Sequence, residues 1–312
     1  MERPNIATVT LNPAIDTAYR LERIVIGSVV RTQNPLKSAG GKGLNVTRVA
    51  TLLGEKVIAT GFVGGQNGQF IRQQLENLEV IDRFVQIEGE TRQCLAFLDN
   101  MNNQTEILEE GPVIKHDEQE YFKKQLHIVL ENIRVLVISG SLPKGISVEF
   151  YQFIIKEAAK QKIKLILDTS GLTLTECLAY QPFMIKPNRE ELEQILNRTL
   201  SMEEDIWQAM EAIQQKGIEL IVVSDGSNGS YALYNNSRYK VSTASISTVN
   251  AVGSGDSFVA GVATGFARSM PIEEVLALAS ACGAANAMED KTGFIKLENV
   301  NKILKEIKVE KK

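Results

Sequence analysis

Residues 135–168 read VLVISGSLPKGISVEFYQFIIKEAAKQKIKLILD. Two short apolar runs, Val135–Ser139 and Leu165–Asp168, flank a stretch with apolar residues at helical spacing, Val148–Gln161. A strand, a helix and a second strand in this order predict a βαβ unit with parallel strands. This unit indicates an α/β fold whose sheet is mostly parallel and flanked by helices.

The same alternation continues along most of the chain. Further strands are predicted at Ile6–Leu11, Val57–Val63, Phe183–Lys186 and Glu219–Ser224. Further helices are predicted at Leu44–Leu53, Phe70–Leu78, Glu118–Glu131, Arg189–Leu196, Met202–Lys216, Asp256–Met270, Ile272–Met288 and Glu298–Ile307. Since no repeat, low-complexity run or linker interrupts them, we predict a single domain over residues 1–312.

Two segments interrupt the alternation, at about residues 18–36 and 91–108. They contain strand-like runs with little helical spacing. In the second segment, Cys94–Leu98 and Thr105–Leu108 flank the polar turn Asp99–Asn103, which predicts a hairpin. We expect the strands of both segments to pair into a small sheet. Such a sheet would form a lid over the carboxyl ends of the parallel strands, where α/β folds bind ligands.

The composition is that of a globular protein, with 44% hydrophobic and 23% charged residues. A formal net charge of −4 gives no basic surplus for a polyanion, so we expect neither a nucleic-acid nor a membrane partner. The sequence lacks a secretory leader pattern and an apolar run of the ~18 residues that span a bilayer. A cytoplasmic location is therefore expected.

Cysteine and histidine usage excludes several kinds of site. Cys94, Cys177 and Cys282 are far apart and form no CxxC pair, which indicates packing thiols instead of disulfides or a zinc cluster. The two histidines, His116 and His127, are predicted to lie on a helix surface. Two histidines on a helix surface do not favour a Ser-His-Asp hydrolase or a metal site built from several histidines.

The strongest chemical signal is NAVGSGDS, Asn250–Ser257, directly before a predicted helix. The Gly-Ser-Gly turn lets successive backbone N–H groups converge at a helix N-terminus, which predicts an anion site. Asp256 then lies beside the bound anion. A lone aspartate at this place would be an ordinary helix cap, but the flanking glycines favour a catalytic carboxylate.

Two weaker signals occur near the start of the chain. AGGKGLN, Ala39–Asn45, precedes a helix, and its glycines allow the backbone to approach a polar ligand, although a tight helix entry would look the same. Its spacing is not that of a Walker A loop. Asp16 follows the first predicted strand, which places a carboxylate for sugar hydroxyls at the carboxyl end of the sheet.

Taken together, these motifs resemble those of the PfkB carbohydrate kinases, which have the ribokinase-like fold. The resemblance extends from Thr8 to about Gly293 and rests on TLNPAID, SAGGKGLNVTR, GETRQC, ISGSLPKG, IKPNREEL, VVSDGSNGSYAL and NAVGSGDS, in this order. Within the family, GETRQC and NQTEILEEGP are most similar to the tagatose-6-phosphate kinases, with 1-phosphofructokinases as the second choice.

The resemblance implies a role for each matching residue. Asp256 matches the catalytic base, and Gly253, Ser254 and Gly255 match the anion hole. The residues that match sugar-binding positions are Asp16, Gly40, Gly41, Lys42, Asn45 and Arg92, with Arg92 directed at the phosphate that the sugar already carries. The residues that match the ATP site are Lys186, Asn188, Ser224, Gly226 and Gly229, and Asn188 with Glu191 is linked indirectly to the Mg²⁺ bound with ATP.

Several of these residues have simpler explanations. Asn188 and Glu191 could form an ordinary helix cap, Ser224–Gly226 a strand-ending turn, and Arg92 a solvated charge on a strand edge. Ala251 and Asp225 depart from the family pattern, and Asp225 adds a negative charge near the expected nucleotide.

The expected function is ATP-dependent phosphorylation of a phosphoketose. A basic pair, Lys42 and Arg92, favours a substrate that already carries phosphate over a nucleoside or a free sugar. A non-catalytic sugar- or nucleotide-binding protein remains the alternative from another class, since fold alone does not fix function. The lid strands also suggest a homodimer, because exposed edge strands can pair between chains.

Overall fold

The computed structural model describes residues 4–33, 35–99 and 103–312. The strands of this part are β1 (Ile6–Thr10), β2 (Ala14–Arg20), β3 (Leu36–Gly40), β4 (Val57–Gly64), β5 (Ile81–Asp82), β6 (Val85–Ile87), β7 (Arg92–Leu98), β8 (Gln104–Leu108), β9 (Val135–Ser139), β10 (Lys164–Asp168), β11 (Met184–Ile185), β12 (Leu220–Ser224), β13 (Ser230–Tyr234), β14 (Ser237–Val241) and β15 (Val309–Lys311).

Helices alternate with most of these strands. They are α1 (Lys42–Leu52), α2 (Gly65–Glu76), α3 (His116–Leu130), α4 (Val148–Lys160), α5 (Gly171–Cys177), α6 (Arg189–Leu196), α7 (Glu203–Gln214), α8 (Ser254–Ala267), α9 (Ile272–Ala287) and α10 (Leu297–Leu304). All the predicted helices are present with small shifts of their ends, and α5 was not predicted.

The main sheet has the strand order β15-β14-β13-β12-β11-β10-β9-β1-β4-β5, and β6 also pairs with β4. The strands from β12 through β5 run parallel to their neighbours, so the predicted parallel sheet is confirmed. Strand β1 is buried along its whole length, as expected for a strand covered on both faces. The carboxyl ends of β1, β9 and β10 therefore lie side by side.

One edge of the main sheet is antiparallel, which the sequence analysis missed. Strands β13 and β14 form a hairpin in which Tyr234 pairs with Ser237. The two residues between them, Asn235 and Asn236, have φ values of 46° and 64°. Asparagine tolerates this left-handed conformation, and two-residue loops of this kind match the twist of a hairpin. Strand β15 then pairs with β14 and ends the sheet.

Helices cover both faces of the main sheet. Apolar residues of α3 to α7 pack on one face, and those of α1, α8, α9 and α10 pack on the other. Helices α8 and α9 approach closely at Gly261, where an added Cβ would lie 2.6 Å from Ala279 Cα. The buried contact fixes α8, whose first turn carries the predicted anion site.

The predicted second sheet is present, with strand order β3-β2-β7-β8. Strands β7 and β8 form the expected hairpin, although Asn100, Met101 and Asn102 of its turn lie outside the described residues. The first lid segment was placed wrongly: its strands are β2 and β3, while the described residues between 21 and 35 are not strand. The pattern was misleading because Ile24–Val30 is mostly apolar although its apolar side chains are exposed, whereas β2 begins at Ala14, soon after β1 ends at Thr10.

The remaining expectations about side chains agree with the structure. Cys177 and Cys282 are buried free thiols, and Cys94 is partly buried on β7. Both histidines lie exposed on α3. Among residues 4–33, 35–99 and 103–312, no helix is long and apolar enough to cross a bilayer.

Candidate active site

A cavity of about 1020 Å³ lies between the lid sheet and the carboxyl ends of the parallel strands. Nine of the predicted site residues line it: Asp16, Gly41, Lys42, Asn45, Arg92, Lys186, Gly253, Gly255 and Asp256. These residues come from distant parts of the sequence, and the fold brings them to one place. Seven others lie outside the lining: Gly40, Asn188, Glu191, Ser224, Gly226, Gly229 and Ser254.

Asp256 is buried in the first turn of α8. The helix begins at Ser254 with Gly253 as its N-cap, so Asp256 lies inside the helix and is not its cap. Its Oδ2 accepts a hydrogen bond of 2.8 Å from Asn45 Nδ2, at the start of α1. The carboxylate is thus held at the wall of the cavity, close to the helix N-terminus.

The pKa of Asp256 is raised to about 7, chiefly by burial and next by the neighbouring Asp168 carboxylate. The hydrogen bond from Asn45 and the ammonium groups of Lys42 and Lys186 act in the opposite direction. A carboxyl group with a pKa near neutrality can take up a proton and release it again, as a general base requires.

The turn before α8 has the geometry of an anion site. Gly253 adopts φ 83°, and a Cβ there would lie 2.7 Å from a Thr292 side-chain carbon, so only glycine fits. Asn286, buried on α9, supports the turn by donating to Val252 O at 2.8 Å and accepting from Ser257 Oγ at 3.2 Å. Ser254 N donates to Ala251 O at 3.2 Å, whereas the next N–H groups of the first turn of α8, those of Gly255 and Asp256, have no partner within the helix and can donate to an anion.

Asp168 is a site residue that the sequence analysis missed. It is buried at the end of β10, with its Oδ1 4.0 Å from Lys42 Nζ and 3.8 Å from Lys186 Nζ. Its Oδ2 accepts a hydrogen bond from Ser139 Oγ at 3.0 Å. A carboxylate at the carboxyl end of a parallel strand was the reason for predicting Asp16, but Asp16 lies within lid strand β2, and Asp168 is the residue that fits this rule.

Asp16 and Arg92 lie on the lid side of the cavity. Burial raises the pKa of Asp16 to about 6, against the lowering effect of Arg48 and Arg92. Gly40 leaves room for this carboxylate, since a Cβ on Gly40 would lie 2.1 Å from Asp16 Cγ. Arg92 donates to the carbonyls of Glu109 and Asn12, while its buried Nε has no hydrogen-bond partner among the described residues.

The two residues predicted to contact Mg²⁺, Asn188 and Glu191, form a helix cap. Asn188 is the N-cap of α6: its Oδ1 accepts from Glu191 N, and Glu191 Oε2 accepts from Asn188 N, both at 2.8 Å. The pKa of Lys42 is raised chiefly by the Asp168 carboxylate, against burial, and to a smaller extent by Asp256 and Glu191. With the amide already bonded, the pair fits an indirect contact with Mg²⁺ through water better than direct ligation by both side chains.

The other predicted nucleotide residues form a turn at the end of β12. Asn188 pairs with Ser224 in a parallel bridge, which places β12 next to the start of α6. Gly229 has φ 95° and no room for a Cβ beside Val241 O. Asp225 lies 3.8 Å from Arg189, so its negative charge near the expected nucleotide is compensated.

A family model described as pfkB family carbohydrate kinase matches residues 9–298. The chain belongs to the PfkB family of carbohydrate kinases. PfkB sugar kinases use ATP as the phosphoryl donor, generally with Mg²⁺. The PfkB match contains both glycine turns and both lid segments.

Known PfkB proteins resemble the chain over nearly its whole length. The curated tagatose-6-phosphate kinase of Staphylococcus epidermidis is 45% identical over 309 residues, covering 97% of this chain and 99% of that protein. The crystal structure of phosphofructokinase-2 from Escherichia coli in complex with fructose-6-phosphate is 28% identical, with a TM-score of 0.91 and coverage of 97% and 99%. The tetrameric inhibited form of that enzyme is 29% identical, with a TM-score of 0.90 and the same coverage.

The pKa of Asp256 predicts the pH dependence of the kinase reaction. If Asp256 is the general base, it must be ionised to accept a proton, so kcat/KM for the sugar should rise with pH through about 7 and level off above it. An ordinary aspartate would instead give an acid limb near 4. Initial rates from pH 5 to 9 measure the limb. The residual activity of Asp256→Asn should lack it, and an acid limb near pH 7 that persists in that variant would contradict the assignment.

Proposed function

We propose that the protein transfers the γ-phosphoryl group of ATP to tagatose 6-phosphate, giving tagatose 1,6-bisphosphate, with Asp256 as the general base. The observation that carries the proposal is the Asp256 carboxylate, buried beside a helix N-terminus with a pKa raised to about 7 and facing the cavity. A binding protein needs no such group next to its anion site. The 45% identity to the tagatose-6-phosphate kinase supports the choice of sugar.

In the proposed reaction, Asp256 takes the proton of the sugar's free primary hydroxyl. The hydroxyl oxygen forms a bond to the γ-phosphorus, and the bond from that phosphorus to the oxygen of ADP breaks. Charge spreads over the transferred oxygens while the attacking and leaving oxygens lie in line. Of the N–H groups from Gly253 to Asp256 at the start of α8, that of Ser254 donates to Ala251 O, and the other three would stabilise this charge.

Lys42 and Lys186 are placed to assist the transfer. Both ammonium groups lie about 4 Å from the buried Asp168 carboxylate and act on the pKa of Asp256. A Cβ on Gly255 would lie 3.4 Å from Lys186 Nζ, which puts this cation beside the first turn of α8. Positive charge at the wall of a site that excludes water stabilises the transferred phosphoryl group.

The donor side of the site is proposed to hold ATP and its Mg²⁺. Lys186, Asn188, Ser224, Gly226 and Gly229 are the proposed contacts with the nucleotide, and Glu191 is the proposed contact with Mg²⁺ through water. The metal neutralises phosphate charge when bound. Because the reaction consumes ATP, the proposal includes a cytoplasmic location.

A substrate panel tests the proposal. Coupled ADP-release assays should show the highest kcat/KM with tagatose 6-phosphate among tagatose 6-phosphate, fructose 6-phosphate, fructose 1-phosphate, ribose and adenosine.

Asp256→Asn, which is nearly isosteric, should lower kcat by about 10²–10⁴-fold. Because folding raises the pKa of Asp256, the folded protein is destabilised by the ionised carboxylate at any pH above the pKa of the unfolded chain. Asparagine removes this charge, so the Tm of the variant should be equal to or higher than that of the wild type at pH 8. The difference should be smaller at pH 5, where the wild-type carboxyl group is mostly protonated.

Each result of the panel has a definite reading. A preference for fructose 1-phosphate would make the protein a 1-phosphofructokinase, and a preference for an unphosphorylated substrate would refute the phosphosugar assignment. Retention of more than about a third of kcat by Asp256→Asn would refute the general base, because a base contributes at least about 100-fold.

Arg92→Ala tests the proposed contact with the sugar phosphate. A hydrogen bond to a charged group contributes about 1.5–3 kcal/mol, so kcat/KM for the phosphosugar should fall roughly 10- to 150-fold while the KM for ATP is unchanged. Arg23→Ala, on the lid but outside the cavity lining, is the matched control and should change neither. Equal losses toward both substrates would assign Arg92 to the lid fold, through its bonds to Glu109 and Asn12.

We further propose that two copies associate through their lids. Strands β3 and β8 are the open edges of the lid sheet. Apolar side chains lie exposed on β8 and on the neighbouring loop, including Ile107, Ile26 and Val29, the last two at 99% and 83% exposure. An edge strand beside exposed apolar residues is a surface that a second sheet can cover.

Light scattering coupled to size exclusion tests this association. The wild-type protein should elute as a dimer or a multiple of a dimer, and the double change Ile26→Lys with Val29→Lys should give monomers, because two buried charges oppose the interface. Leu172→Lys, at an equally exposed apolar residue on α5, should leave the mass unchanged. A monomeric wild-type protein, or a double variant with the wild-type mass, would refute the lid interface.

A further inference from the structure

The guanidinium of Arg48 connects three parts of the active site. Arg48 lies on α1, one turn after Asn45. Its Nη1 donates to Asn45 Oδ1 and to Thr292 O, each at 3.0 Å, and to Gly293 O at 3.3 Å. Its Nη2 donates to Ala39 O on lid strand β3. The side chain therefore joins the lid and the segment beside the anion turn to the residue that holds Asp256.

These contacts determine which way the Asn45 amide faces. An arginine side chain only donates hydrogen bonds, so the atom of Asn45 that faces Arg48 must be the carbonyl oxygen. The amide nitrogen then points to the other side, where it donates to Asp256 Oδ2 at 2.8 Å. If the amide were reversed, its NH₂ group would face the guanidinium and its oxygen would face the carboxylate, and both contacts would be repulsive.

We propose that Arg48 is a positioning residue, which fixes the Asn45 amide so that it donates to Asp256 and keeps this carboxylate ionised and aimed at the sugar hydroxyl. The inference deepens the proposed function and rests on Asp256 as the base. It assigns to Arg48 no contact with either substrate. Asn45 thereby acts on the base as well as lining the sugar side of the cavity.

The charge of Arg48 is a second route by which it can act on the site. The carboxylates of Asp16 and Asp256 both raise the pKa of its guanidinium, against burial, which has the larger effect and lowers it. Arg48 in turn lowers the pKa of Asp16. Hydrogen bonding through Asn45 and charge acting across space predict different behaviour when Asn45 is removed.

The test is the acid limb of kcat/KM in Arg48→Met, Arg48→Lys, Asn45→Leu and the double variant Arg48→Met with Asn45→Leu. Loss of the amide's hydrogen bond raises the pKa of the base, so the limb should move to higher pH by about one unit in Arg48→Met and Asn45→Leu, with activity recovering at high pH. Arg48→Lys should shift it as well, because an ammonium group cannot reproduce the planar set of bonds that guanidinium makes.

The double variant distinguishes the two routes. If Arg48 acts through Asn45, its removal shifts the limb no further once Asn45 is absent. An equal additional shift in the Asn45→Leu background, or a wild-type limb in Arg48→Lys, would show that charge alone suffices and would overturn the proposal. A purely structural role would lower kcat/KM at every pH and leave the limb in place.

Arg72→Met is the matched control. Arg72 is a partly buried arginine that also bonds a backbone carbonyl, Phe84 O, but it lies on α2 and outside the cavity lining. Its loss should lower Tm without moving the acid limb. If Arg48→Met is too unstable to assay, the two single variants Arg48→Lys and Asn45→Leu decide the question. Failure of Asp256→Asn to lose activity would refute the base itself, whereas an unshifted limb with an essential Asp256 refutes only the role of Arg48.

Discussion

The hydrogen bond from Asn45 to Asp256 joins the first turns of two helices, α1 and α8, that enter the fold from opposite ends of the sequence. Each helix begins after a glycine with positive φ, Gly41 and Gly253. Both turns must reach the same wall of the cavity for this bond to form. The packing of α8 on α9 and of α1 on the main sheet therefore brings Asn45 and Asp256 together, and the position of the Asp256 carboxylate depends on that packing.

The site balances buried charges of both signs. Asp168 and Asp256 repel each other, and this repulsion adds to the effect of burial on the pKa of Asp256. Lys42 and Lys186 compensate the pair from within about 4 Å of Asp168. The two ammonium groups lie 4.0 and 3.8 Å from Asp168 Oδ1, beyond hydrogen-bonding distance, so their N–H groups can still donate to an incoming phosphate. A phosphate bound there would meet positive charge that the protein already holds in place.

The sequence predicted the parallel strands, the second sheet and Asp256, because each has a local cause in hydrophobic spacing or glycine placement. It missed the edge formed by β13 to β15, although Asn235 and Asn236 between two apolar runs are a hairpin signal. Asp168 could also have been predicted, because it is a carboxylate at the end of a predicted strand. Arg48 and Asn286 could not have been predicted, since their partners include backbone groups of segments that meet only in the folded chain.

The lid has a consequence for how the protein folds. Strand β2 pairs in parallel with β7, so that Ala14 lies opposite Arg92, and the whole of α1, β4 and α2 lies between them in the chain. Closing so long a loop costs entropy before the pairing of β2 with β7 can repay it. We therefore expect the lid sheet to form after the main sheet. For the same reason we expect it to open before the main sheet does, which would let a substrate enter and leave the cavity beneath it.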